Sequence, residues 1–167
     1  MAPNETRCGG CGALVPDISG PVHAYMSSAP GCWARYTSVL AARDSFADRT
    51  RAQWAVDSYA AQHVGNDDPR NRQSVAVHLM SLCASLEHGV PGLRLRRLLG
   101  QWAVRPGTFP LLEPRPQCFE VTVAEVARSA LVGRHEVMRA WANATWQAWS
   151  GHHDDVRRWL NGTWQCP

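Results

Sequence analysis

Three cysteines and a histidine stand within the first thirty-two residues, as Cys8, Cys11, His23 and Cys32, in the order Cys-x2-Cys-x11-His-x8-Cys. Two thiolates two residues apart can reach one tetrahedral ion, and intervening glycines let the backbone turn its amides toward the sulfurs. A structural zinc site takes four ligands, so Cys32 is the natural third and His23 the local fourth, giving one zinc per chain. A helix histidine such as His63 could serve as the fourth ligand instead and leave His23 free; the spacing alone leaves both sets open. Three other readings compete. A redox dithiol sits where a strand meets a helix, and Gly9-Gly10 with no preceding strand pattern argues against it. A c-type haem needs a histidine directly after the second cysteine, where this chain has Gly12. Unligated thiols in a loop are the plain alternative, since free cysteines are commonly buried and inert.

A second set of chemistry-bearing residues lies further along. His63, His78 and the pair His152/His153 fall on three different helical segments. Helix bundles are a usual place for such imidazoles to converge as metal ligands or acid–base groups. His63, His78, His152 and His153 are therefore the candidate catalytic residues, with Asp57, Glu87, Asp154 and Asp155 available to orient their rings. The opposing reading is that a histidine on an apolar stripe is a hydrogen-bonded core residue. His88 beside Gly89 suits a helix-end cap, and His135 falls in a polar opening turn.

The elements that must position these residues are mostly helical. Residues 1–30 are rich in Gly, Pro and Ser and read as a metal-binding loop, with room for a short hairpin. Residues 31–103 read as helices. Ser28 can cap the first with Pro30 in its opening turn, and Thr50 can cap the second. The third covers about 71–88, with Val75, His78, Leu79, Leu82 and Leu86 on one stripe. The segment "LRLRRLLGQWA" makes a fourth, its Arg94, Arg96 and Arg97 solvated or facing phosphates. Residues 104–121 hold four prolines and form a long loop. The C-terminal helices span 122–160, opening on the capping box Thr122-Val-Ala-Glu125 and breaking near Ser150-Gly151. The expected fold is mainly α, a four- to five-helix bundle behind an N-terminal cysteine-bearing metal loop, in a single domain over 1–167.

Composition agrees. The chain has 167 residues, 45% hydrophobic and 19% charged, enough for one domain with a real core. Every basic residue is arginine, and the net charge of +3 is too small to point to a nucleic-acid partner. No apolar run is long enough to span a membrane and no leader pattern opens the chain, so a cytoplasmic protein is expected, its cysteines thiols or metal ligands rather than disulfides. Eight tryptophans read first as core packing and second as a wall for a flat ligand or a haem.

The stretches "CGGCGALVPDISGPVHAYMSSAPGCW", "VDSYAAQHVG", "QSVAVHLMSLCASLE" and "WANATWQAWSGHHDDVRRWL" together resemble a bacterial domain family of unknown function, over nearly the whole chain. The resemblance implies that Cys8, Cys11, His23, Cys32, His63, His78, His152 and His153 are among its characteristic positions. It implies no activity. The sequence reading is thus a small zinc-binding helical metalloenzyme with a His-lined pocket for a small-molecule substrate, a second metal or a haem being the variant. The alternative is a non-enzymatic zinc-stabilised module that binds a protein or nucleic-acid partner.

Overall fold

The computed structural model describes residues 4–42, 49–104, 109–130 and 133–163. Among these the chain is mainly helical, with one two-stranded hairpin followed by seven α-helices. The hairpin pairs β1 (Glu5–Arg7) with β2 (Leu14–Pro16), Thr6 opposite Val15. Its connecting loop carries Cys8 and Cys11.

Helix α1 spans Pro30–Ala41, with proline at the first position, where its missing N–H costs nothing. The expected Ser28 cap is absent: Ala29 is the N-cap, and the Ser28 hydroxyl is buried without a hydrogen bond. The continuation of this helix expected past Ala42 lies outside the described residues. Helix α2 spans Arg49–Gln62. Thr50 sits inside its first turn rather than capping it, because its hydroxyl accepts the Gly92 N–H at 2.9 Å. Helix α3, Pro69–Leu86, starts at an extended Asp68 whose carboxylate accepts the Asn71 N–H at 2.9 Å. Helix α4 spans Gly92–Val104.

Residues 109–121 form no regular element, but Leu112 is buried in the core. The capping box then opens α5 (Val123–Arg128) with both of its reciprocal bonds in place. The long C-terminal segment divides into α6 (Arg134–Ala148), a 3-10 turn at Ser150–His152 and α7 (His153–Thr163). The segment breaks at the expected Ser150-Gly151 step, and the described residues hold seven helices against the expected four or five.

Helix α2 is central. It packs on α3, α4 and α6, and nearly every residue of its last two turns is buried. One core cluster lies on its α3–α4–α7 side, around Leu79, Met80, Leu82, Trp102 and Leu160. The other lies between the hairpin, α1 and α6, around Val15, Tyr36, Tyr59, Met138 and Trp141. The tryptophans serve this core: the indole N–H groups of Trp54, Trp141, Trp146 and Trp149 donate to Ser85, Gln62, Glu87 and the Ala61 carbonyl. A buried indole needs such a partner. No described helix is long and apolar enough to cross a membrane.

Candidate metal centre

The three sulfurs and the imidazole come from three segments. Cys8 and Cys11 sit on the hairpin loop, Cys32 in the first turn of α1, and His63 directly after α2. The loop is held by Cys8 N–H to the Ala13 carbonyl and Gly12 N–H to the Cys8 carbonyl, both at 2.9 Å. Gly12 turns the chain with φ of 76°, a conformation that side chains disfavour. The ligand atoms of Cys8, Cys11, Cys32 and His63 all lie within 4.8 Å of one another, and all four residues are buried.

Distance separates the readings. Cys11 Sγ and Cys32 Sγ are 3.8 Å apart, whereas a disulfide would bring them to about 2.0 Å. A tetrahedral ion with metal–sulfur bonds of about 2.3 Å has a sulfur–sulfur edge of about 3.8 Å. Cys32 Sγ lies 3.2 Å from His63 Nε2, somewhat inside the corresponding sulfur–nitrogen edge of about 3.5 Å. The His63 Nδ1–H donates to the Tyr59 carbonyl at 2.7 Å, which fixes the tautomer and leaves the Nε2 lone pair for an ion. Tyr59 stacks on the imidazole at 3.9 Å and Tyr36 stacks on Tyr59 at 3.9 Å, so the ring cannot swing. Ala29 N–H points at Cys8 Sγ at 3.4 Å, a contact that favours a thiolate.

The electrostatics are those of thiols crowded around one charge. Cys8 is driven well below the usual thiol range by hydrogen bonds from Cys11 and Cys32, with further help from His63 and Ala29. Cys32 is pushed far up because it donates to Cys11 and Cys8 and is buried. Without a cation the cluster therefore supports one thiolate among protonated neighbours. A divalent cation offsets the mutual repulsion and lets all three ionise. Among the described residues the buried Tyr59 hydroxyl makes no well-formed hydrogen bond, although the Ser28 and Cys32 side chains lie near it. Its phenol is raised first by burial and then by the neighbouring thiol cluster.

Gly10 shows how tightly the knuckle is built. A Cβ there would stand 2.3 Å from the Ser27 carbonyl oxygen and 2.6 Å from His63 Cδ2, whereas at Gly9 it would meet nothing nearer than Ser27 Oγ at 3.7 Å. Gly10→Ala is therefore expected to displace the loop from His63 and lower the melting midpoint by about 5 °C, with faster metal loss to a chelator. Gly9→Ala should match the parent in both.

A family model, Family of unknown function (DUF5946), matches residues 6–150. The chain belongs to this family. The DUF5946 match takes in the whole Cys3His cluster and His78 and stops short of His152 and His153. No curated protein and no solved structure matches the chain.

Within this DUF5946 fold the other histidines separate. His23, the local choice for a fourth ligand, stands outside the cluster. Its Nδ1 accepts the Tyr25 N–H at 3.3 Å and its ring lies against Trp33. The reason is the path of the β2–α1 connection: Ser27 N–H donates to the His63 carbonyl at 3.2 Å, so the end of α2, not the connection, presents the imidazole. His78, His152 and His153 do not join His63 in one pocket. His78 Nδ1 pairs with Asp57 at 2.8 Å. His152 donates to the Pro114 carbonyl at 3.1 Å. His153 stacks on Trp146 at 3.7 Å and donates to its carbonyl at 2.9 Å. A second group of potential ligands, Cys83, Glu87 and His88, has its carboxylate already engaged by Arg157 at 2.7 Å.

Two buried residues that matter escaped the sequence reading. Gln62 precedes His63 and is bonded on both ends of its amide. Ser81 donates to Asp57 at 2.6 Å, completing the network behind His78; its spacing of three residues from His78 was the available signal.

Proposed function

We propose that Cys8, Cys11, Cys32 and His63 bind one zinc ion, and that this zinc is a structural centre fastening the N-terminal hairpin and α1 to the end of α2. The observation that carries the reading is the convergence of four buried donor atoms within 4.8 Å. Three thiolates and an imidazole in tetrahedral array are a donor set that favours zinc. When bound, the ion supplies cross-linking energy to the fold. Catalysis at a zinc needs an open position for water or substrate, and four protein ligands leave none. Ligand recognition or acid–base work accordingly belongs to another face of the molecule, where His78 stands. Buried thiols poised for metal suit a reducing compartment, and we place the protein in the cytoplasm.

The test is metal stoichiometry by plasma mass spectrometry on protein purified without chelator or immobilised nickel, with an absorbance scan of the same sample. One zinc per chain and no visible band is the expected result. A visible iron band would replace zinc while keeping the site. Metal-free protein that is fully folded, with its three site thiols titratable, would overturn the reading.

A further inference from the structure

Helices α2, α3 and α4 line an open groove of about 440 Å³, within the size range of small-molecule sites. Val56, Val77 and Leu99 give it apolar walls, and His78, Arg70 and Arg96 bring its polar groups. None of the described residues lining it is acidic. The Asp57 carboxylate is fully buried and lies behind His78. It accepts from His78 Nδ1 at 2.8 Å, Gln53 Nε2 at 2.8 Å and Ser81 Oγ at 2.6 Å. The His78 ring is thus fixed by its Nδ1 edge. The side chain stays 18% exposed, and Nε2 has no partner among the described residues.

A buried carboxylate engaged by three donors and orienting an imidazole at a cavity wall is more than the helix packing requires. The same wall carries cations with no lining counter-charge. Arg70 is held in place by the face of Tyr25, 3.8 Å from the ring centre. Arg96 has no ion-pair partner among the described residues. We propose that this groove binds a small organic acid: its apolar body lies between Val56, Val77 and Leu99, and its carboxylate or phosphate is held by Arg96 and by His78 Nε2. Because Nδ1–H is committed to Asp57, Nε2 is the ring edge that meets the ligand's acid group, with the acid's proton between them. Among the described residues, the charged groups at this wall are Asp57 from α2 behind His78, Arg70 from its own helix and Arg96 from α4.

Gly100 gives a clean means of blocking the site. It lines the groove, and an added Cβ there meets nothing within 4 Å. Gly100→Leu should fill the cavity while keeping α4 intact, since glycine is the weaker helix former. The experiment titrates the metal-loaded chain with benzoate, hexanoate and phenyl phosphate while following the imidazole nitrogens of His78 by NMR. At least one probe should move the Nε2 signal saturably toward that of a protonated ring. Arg96→Gln should weaken that probe at least fivefold, and Gly100→Leu should abolish the shift with an unchanged or higher melting midpoint. No saturable shift with any of the three probes overturns the proposal, as does a shift that survives Gly100→Leu. A shift produced equally by inorganic phosphate also overturns it, since the apolar walls would then select nothing. Metal content is read separately, so failure here leaves the zinc reading standing.

Discussion

Cys32→Ser leaves the purified chain without its metal and lowers the melting midpoint by about 10 °C, corresponding to about 3 kcal/mol or more. Cys32 is the pivot of the cluster: it lies 3.8 Å from Cys11 Sγ and 3.2 Å from His63 Nε2, and it is fully buried. A serine hydroxyl there is a hard, weakly acidic donor in a site built for thiolates. Metal-binding energy in such sites is folding energy, so occupancy and stability fall together. The loss is smaller than the full affinity of a zinc peptide because the α3–α4–α7 core does not depend on the ion. His63→Ala should behave the same way. His23→Ala, by contrast, should keep one metal per chain and melt within about 2 °C of the parent, since a partly buried ring outside the cluster contributes little. Plasma mass spectrometry and a thermal melt on the three variants check this together. Metal retained in both Cys32→Ser and His63→Ala, with an unchanged melt, would sink the site.

Gln62→Leu costs about 2–3 kcal/mol, and Gln62→Ala about 1 kcal/mol more for the cavity. The wild-type amide donates to the Val121 carbonyl at 2.8 Å and the Thr145 hydroxyl at 2.9 Å, and accepts from the Trp141 indole at 3.0 Å. Gln62 is 2% exposed, and Thr145 and Trp141 are fully buried. Leucine keeps the volume but leaves an indole N–H and a carbonyl stranded in the core. Thr145 loses least, because its hydroxyl still donates to the Trp141 carbonyl at 2.8 Å. Chemical denaturation with a slope equal to that of the parent would report this as stability alone. Metal content should stay at one per chain, because His63 keeps its bond to the Tyr59 carbonyl. A Leu variant as stable as the parent would show that the three bonds contribute nothing net.

These two sites divide what the sequence could and could not say. Cys8, Cys11 and Cys32 were legible because their residue type and close spacing are local facts. The capping box at Thr122 and Glu125 was legible for the same reason. The choice between His23 and His63 was not. Sequence spacing favours the nearer imidazole, but the fold brings the end of α2 beneath the hairpin, an outcome of packing between distant segments. Helical phase placed His78 correctly on the inner stripe of α3 without saying which helix it would face. His152 and His153 are adjacent, so they point in different directions, and each found a backbone carbonyl. Thr50 and Ser28 failed as caps because the helices do not start where the cap signals placed them, but at Arg49 and after Ala29. Gln62 gave no signal, since a polar residue at the end of a helix is ordinarily solvated.

The order in which the ligands are synthesised follows from where they sit. Thirty-one residues separate Cys32 from His63, about 2–6 s of translation. During that interval the three thiols are complete and the imidazole is still inside the ribosome. With the zinc proposed above, a nascent chain could therefore load the ion on three sulfurs with the fourth position open to water or a carrier's ligand. Closure would then wait for α2 to emerge and dock, making metal delivery and helix docking successive steps, with the proposed ion exchanging most readily before His63 arrives.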